Sequence, residues 1–243
     1  MNRIIILTGS NSGLGLALAK RFIEVGDRVF GVSRTKRNWN SAHRAINNSK
    51  LFSLTQGDVT LEREVKQFIR KVIRTAGRID VLINNAGYSN RPTQLEKLSV
   101  KEFQKNLSSN LISTFLMCKY VIPIFRKRKN WLIINISSMA GKRAVPRLAA
   151  YSASKFAVVA LSQSIAKENQ EAGFKCLTVC PGGMNTDMRQ KLFGAEDAQK
   201  QQSADFVADI IFQIANDQIK VESGGDIVIR HGRLTSINPC PPP

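Results

Sequence analysis

Ile4-Ile5-Ile6-Leu7-Thr8-Gly9-Ser10-Asn11-Ser12-Gly13-Leu14-Gly15 runs directly into Leu16-Ala17-Leu18-Ala19-Lys20-Arg21-Phe22. A short unbroken apolar run reads as a strand buried on both faces. After the glycines, Leu14, Leu16, Leu18, Phe22 and Val25 recur at helical spacing, so Gly13 to Val25 reads as a helix. Gly9 allows a tight turn between the two, Gly13 lets backbone approach an anion, and Gly15 lets the helix pack close to the sheet. The free N–H groups and positive dipole of the helix start then face a phosphate. A glycine motif alone says little; one that ends a strand and opens an amphipathic helix has the right context. Gly9, Ser10, Asn11, Ser12, Gly13, Leu14 and Gly15 are therefore candidate pyrophosphate-binding residues.

The same alternation continues along the chain. Strands are expected at Arg28 to Val32, Leu51 to Leu54, Val81 to Ile83, Trp131 to Ile136, Phe174 to Cys180 and Asp226 to Ile229. Helices are expected at Leu61 to Arg74, at Val100 to Arg126 with a bend near Pro123, at Ala150 to Gln170 closed by Gly173, and at Ser203 to Ala215. This pattern predicts an α/β fold: a doubly wound parallel sheet of about seven strands with helices on both faces. All 243 residues suit one domain, ending in an extended tail over 238–243.

Hydrophobic residues make up 43% of the chain, a globular composition. The four cysteines form no C-x-x-C pair, and neither His43 nor His231 stands at zinc-site spacing, so no metal is expected. The first strand begins right after Met1, and no apolar run approaches the length of a membrane span; a cytoplasmic protein with no membrane partner is the expectation. The net charge of +18 is high. Affinity for anionic substrates or carriers, affinity for nucleic acid, and compositional drift would each account for it. Aromatic residues are few and do not interleave with the basic clusters, which argues against nucleic acid.

At the end of the second strand stands Gly31-Val32-Ser33-Arg34-Thr35-Lys36-Arg37. A site for NAD places a carboxylate here for the ribose 2′-hydroxyl, whereas this chain has Ser33 and then Arg34. A guanidinium suits a 2′-phosphate in charge and in bidentate geometry, so Arg34 and Thr35 point to NADP(H). Asp58 and Val59 come after the third strand, where Asp58 or Thr60 could cap the next helix. Asn84-Asn85-Ala86-Gly87 ends the fourth strand in small residues that would let the chain pass close to a dinucleotide.

Tyr151 and Lys155 are four apart and share one helix face. An ammonium beside a phenol favours phenolate, and bringing a tyrosine from its free pKa near 10 towards neutrality takes about 3–4 kcal/mol. Y-x-x-x-K alone is uninformative. Joined to Ser138, thirteen positions earlier, to the glycine loop and to N-N-A-G, it resembles the short-chain dehydrogenase/reductase superfamily in its compact single-domain branch. The resemblance runs from Ile4 to about Ile229. It implies a Rossmann-like fold and an oxidoreductase that moves hydride between a nicotinamide and a carbonyl or alcohol. Tyr151 would be the general acid in reduction, Lys155 would lower its pKa and hold the nicotinamide ribose, and Ser138 would bond the substrate oxygen. Asn110 would support a water relay to Lys155. Asp58 would meet the adenine, and Asn85, Ala86 and Gly87 would line the cofactor pocket. Pro181, Gly182 and Thr186, in P-G-x-x-x-T, would shape the nicotinamide pocket. Relatives of this kind are commonly homodimers or homotetramers built through the two long helices.

The segment 187–202 reads as a short substrate lid or a surface connection. Arg91, Lys142, Arg143 and Arg147 are expected to rim the pocket, favouring an anionic substrate or an acyl chain on an acidic carrier, with Arg126 to Lys129 helping to dock it. The leading expectation is a carbonyl reductase such as a 3-oxoacyl-carrier reductase. The alternatives are a reductase of small sugars, polyols or ketones, and a non-catalytic dinucleotide-sensing protein.

Overall fold

The computed structural model describes residues 2–127, 131–170 and 173–241. Eight strands form one sheet: β1 (Ile4–Thr8), β2 (Arg28–Ser33), β3 (Phe52–Gln56), β4 (Val81–Asn84), β5 (Trp131–Ile136), β6 (Phe174–Pro181), β9 (Asp226–Arg230) and β10 (Arg233–Asn238). Their spatial order is β10-β9-β6-β5-β4-β1-β2-β3. The short strands β7 (Met184–Asn185) and β8 (Gln202–Ser203) pair separately as a two-stranded ribbon. In the large sheet seven strands are parallel, and only β10 runs antiparallel, against β9. The central strands are apolar on both faces because helices cover both. On one face lie α1 (Gly13–Glu24), α2 (Trp39–Ala45) and α9 (Ala204–Ala215), which bury Leu18, Phe22, Val207 and Ile211 against Ile5, Leu7 and Ile83. On the other lie α3 (Glu62–Ala76), α5 (Ser113–Phe125) and α6 (Ala149–Glu168), which bury Val65, Phe68, Met117 and Val121 against Ile6, Leu82 and Ile133.

The chain starts in the middle of the sheet. It moves outward through β2 and β3, then returns to the far side of β1 for β4. That reversal opens a crevice at the C-terminal ends of β1 and β4, where such sheets bind ligands.

Three elements differ from the sequence reading. The edge strand β10 was not expected; its residues alternate between exposed and half-buried, a weak apolar signal. The His231-Gly232 turn that folds it onto β9 has positive φ at both residues (51° and 67°), the geometry of a tight two-residue hairpin. It takes Asn238 out of the expected tail, of which residues 242–243 lie outside the described residues. The long helix is interrupted not near Pro123 but at a π-helical turn, Ser108–Ile112, between α4 (Val100–Leu107) and α5. Pro123 sits in the last turns of α5, where its missing N–H forgoes one helical bond. The α4–α5 stretch, Val100–Phe125, is long and apolar enough by length and composition to cross a bilayer, contrary to the reading of the apolar runs. In this fold Leu116, Met117, Val121 and Phe125 are buried in the core.

Close packing of α1 on β1 rests on Gly15. A Cβ there would stand 2.1 Å from the Gly9 carbonyl oxygen and 2.7 Å from Asn85 Nδ2. Both neighbours belong to the loops that the helix must abut, so the helix would have to move. Gly15→Ala is expected to lower stability by about 1–3 kcal/mol, the usual range for overpacking; urea unfolding of the two proteins measures it.

Candidate active site

The glycine loop is built by cross-strand hydrogen bonds. Thr8 Oγ1 accepts from the backbone N–H groups of Asn85 and Ala86, each at 2.9 Å. Asn85 Nδ2 donates to the carbonyls of Thr8 (3.0 Å) and Gly9 (3.1 Å). Gly9 N donates to Val32 O, tying the loop to β2 as well. Gly9 and Gly13 have φ of 65° and 50°, a backbone that side chains disfavour.

A cleft of about 340 Å³ starts at this loop. Gly9, Asn11, Ser12, Gly13 and Leu14 floor it, Arg34, Thr35, Asp58 and Val59 line one end, and Asn85, Ala86, Gly87, Tyr151, Lys155 and Thr186 line the other. Most of the sequence-predicted site residues therefore share one groove. Four of the expected cofactor residues do not line it. Ser10 is wholly buried, its hydroxyl turned towards β2, where a Cβ on Gly31 would lie 2.0 Å away. Gly15 serves packing. Pro181 ends β6 and is buried, and Gly182 faces the neighbouring substrate cleft.

At the ribose end, Ser33 does not bind across the groove. Its hydroxyl accepts from Trp39 Nε1 at 3.0 Å and donates to Thr35 O at 3.2 Å. Asn11 Nδ2 donates to Arg37 O at 2.7 Å, binding the glycine loop to the basic loop. These two anchors leave Arg34 exposed at the rim. Asp58 Oδ1 accepts from Thr60 N and Oγ1, and Asp58 N donates to Glu64, so Asp58 structures the turn before α3 while lining the groove. The helix-cap reading of Asp58 does not hold: α3 starts after Leu61 with no side-chain cap, and Asp58 shapes the preceding turn from a position on the groove lining.

Lys155 is buried, and its Nζ donates to Ile136 O at 2.8 Å. Burial pushes its pKa down to about 8. Tyr151 stands 5.8 Å, measured at the ring centre, from that ammonium. Burial raises the Tyr151 pKa above 10, opposed by a hydrogen bond from the Ser138 hydroxyl. The expectation that Lys155 depresses this phenol is not what the geometry shows. Both groups are desolvated, and the ammonium is turned onto a carbonyl oxygen instead. The phenol is thereby kept in its proton-carrying form.

Asn110 sits in the π-helical turn, buried. Its Oδ1 accepts from Tyr88 N, and its Nδ2 donates to Tyr88 O and Ser154 Oγ, all at 2.8 Å. These bonds tie the side chain to the Gly87-Tyr88 loop and to Ser154 of α6, the residue before Lys155. Ser137, adjacent to Ser138, donates to the Lys155 carbonyl at 2.8 Å and locks α6 onto β5. The sequence reading missed Thr8, Ser137, Ser154 and Trp39 as supports; of these only Thr8, last residue of the strand before the glycines, carries a sequence signal.

Beyond Tyr151 a second cleft of about 390 Å³ opens, lined by Ser138, Tyr151, Met139, Val145, Leu148 and Phe193 among others. The 187–202 segment is not irregular. It forms α7 (Asp187–Phe193) and α8 (Ala195–Gln199), pinned by the Arg189–Asp197 ion pair and by the β7–β8 ribbon. Met188, Leu192 and Phe193 of α7 line the cleft. Of the expected basic rim only Arg143 lines it. Lys142 is drawn 2.7 Å from buried Asp226, and Arg91 and Arg147 lie outside the lining.

The short-chain dehydrogenase family model matches residues 3–197. The chain belongs to that family. It is 32% identical to a 2-(R)-hydroxypropyl-CoM dehydrogenase of Xanthobacter autotrophicus, covering 98% of this chain and 100% of that protein. Among solved structures it is similar to ElxO with NADP bound (TM-score 0.86, 27% identity, 94% of this chain and 97% of that one). It is also similar to a 3-ketoacyl-(acyl-carrier-protein) reductase from Brucella melitensis complexed with NADH (TM-score 0.85, 25% identity, 93% and 96%). The chain is accordingly an oxidoreductase of the short-chain dehydrogenase/reductase superfamily.

The depressed Lys155 pKa makes stability depend on pH. The folded value, about 8, lies below the ordinary 10.5. Between those pH values the unfolded chain still holds a proton that the folded chain has released, so stability rises with pH across the window. Relative to Lys155→Met, the native protein is expected to gain up to about 3 kcal/mol from pH 8 to 10.5; paired urea titrations across that range measure it.

Proposed function

We propose that this enzyme is an NADP(H)-preferring reductase of ketones, of the kind that reduces 3-oxoacyl groups. The observation that carries the cofactor preference is Arg34, exposed on the groove rim at the end of β2, where the side chain of Ser33 is turned inward to Trp39. The groove's residues fit a dinucleotide: glycines at positive φ before a helix start, a guanidinium at one end, and the Tyr151–Lys155 pair at the other. Arg34 would hold the 2′-phosphate, the loop N–H groups the pyrophosphate, and Lys155 and Thr186 the nicotinamide end.

The bound nicotinamide supplies the hydride. As negative charge grows on the substrate oxygen, Ser138 and Tyr151 donate hydrogen bonds to it. Tyr151 then gives up its phenolic proton to that oxygen. The buried Lys155 ammonium stands ready to steady the phenolate left behind. Apolar walls from Met139, Val145, Leu148, Met188, Leu192 and Phe193 favour an acyl chain or hydrocarbon ketone over a sugar or polyol.

Two substitutions separate cofactor from chemistry. Tyr151→Phe is expected to keep NADPH binding, followed by fluorescence titration, and to lose at least about 100-fold in kcat on a ketone panel. Arg34→Ala is expected to weaken NADPH by about 10–100-fold while leaving NADH within about twofold, since only the former carries the 2′-phosphate. Equal loss for both nucleotides would remove the NADP preference.

We also infer self-association through α5 and α6. Ile112, beside α5, Phe115 of α5 and Phe156 of α6 are all at least 40% exposed. Phe156→Asp is expected to reduce the molecular mass seen by sedimentation equilibrium; an unchanged mass would argue against this face.

A further inference from the structure

The cleft beyond Tyr151 has an uneven charge lining. Its walls include Arg143, Arg189, Lys200, Arg230 and His231, and among the described residues that line it there is no aspartate or glutamate. Two of the four arginine and lysine side chains already have partners. Arg189 is paired with Asp197, and Lys200 with Glu196 at 2.7 Å. Lys142, beside Arg143 in sequence, is drawn off to Asp226. Among the described residues neither Arg143 nor Arg230 has an acidic partner, and both line the cleft.

Their placement is set by the fold. Arg143 comes just after the short helical turn Met139–Gly141 that leaves Ser138, so it stands on the same wall as the hydroxyl expected to meet the substrate oxygen. Arg230 ends β9, and its side chain packs over Gly182, where a Cβ would meet Arg230 Cγ at 3.1 Å. His231 Nε2 lies 3.3 Å from the Arg230 guanidinium and so faces it as an acceptor. The same cleft is lined by Tyr151 and by the apolar side chains of Met139, Leu148, Met188 and Phe193. An apolar cleft with a proton donor and uncompensated guanidinium groups matches a molecule with a carbonyl, a hydrocarbon spacer and an anionic end.

We propose that the substrate is a ketone whose chain ends in an anionic group, a carboxylate or another oxyanion of similar geometry, held by Arg143 and Arg230 while the carbonyl meets Ser138 and Tyr151. This rests on the reading of the chain as a ketone reductase and names its substrate class. The anchor fixes the distance from anion to carbonyl, so turnover depends on spacer length as well as on charge.

The test uses the full-length protein with NADPH and a series of oxo-carboxylates having one to six methylenes between carboxylate and ketone, each against its methyl ester. For at least one length the carboxylate is expected to exceed its ester in kcat/KM by about tenfold or more. That ratio should fall at least tenfold in Arg143→Gln or Arg230→Gln, largely through KM, and recover in part in Arg230→Lys. Arg63→Gln, on the exposed face of α3 and remote from the cleft, controls for the +18 net charge and should leave the ratio unchanged. Thermal melting of each variant checks that it is folded. Turnover of esters and carboxylates alike at every length, or equal falls in the ratio in Arg63→Gln and the two cleft variants, overturns the anionic anchor while leaving the reductase reading intact. No NADPH oxidation with any ketone, carboxylate or ester, overturns the reductase reading itself.

Discussion

Four hydrogen bonds between the ends of β1 and β4 hold the site together. Thr8 Oγ1 takes the backbone N–H groups of Asn85 and Ala86, while Asn85 Nδ2 spans the carbonyls of Thr8 and Gly9. They sit where the winding of the sheet reverses, the one place where two parallel strands leave in opposite directions and part. Without them the glycine loop would have orphaned carbonyls facing a groove. With them, and with the Gly9 N–H bonded to Val32 O, the loop has a fixed shape. Gly15 allows α1 to abut that loop, so nucleotide groove and helix packing depend on the same few atoms.

Burial decides the electrostatics of the catalytic pair. It pushes the phenol of Tyr151 up and the ammonium of Lys155 down to about 8. Both shifts favour the neutral form of the group, the phenol for Tyr151 and the amine for Lys155. A group that must give a proton to a developing alkoxide needs to hold it beforehand, as a phenol does below its ordinary pKa near 10. The Ile136 carbonyl gives the ammonium its partner, and Ser137 fixes the helix that carries it. The strand β5 thus supports three members of the site: through its last carbonyl, through Ser137 and through Ser138.

The high positive charge is not spread evenly in effect. Asp226, Asp197 and Glu196 neutralise Lys142, Arg189 and Lys200 around the substrate cleft. The uncompensated charge there is local, at Arg143 and Arg230, which line the same cleft as Tyr151 and the apolar side chains of α7. A total of +18 describes the surface; the pairing of individual side chains describes the site.

The layered α/β sheet, the glycine turn and the grouping of Tyr151, Lys155 and Ser138 could be read from the sequence because each rests on local spacing. A buried strand is a continuous apolar run, and a helix face repeats every three to four residues. The β10 edge was not legible because an antiparallel edge strand with one wet face carries few apolar residues. The π-helical turn at Ser108–Ile112 was not legible because its signal is one extra residue in an otherwise helical pattern. Which cations line the substrate cleft was decided only in three dimensions. Lys142 and Arg143 are neighbours in sequence, yet one is consumed by an aspartate 84 residues away and the other faces the cleft. The same holds for the Tyr151 phenol. The spacing to Lys155 placed an ammonium near it, but its pKa is set by how much water the folded chain excludes, which no local spacing records.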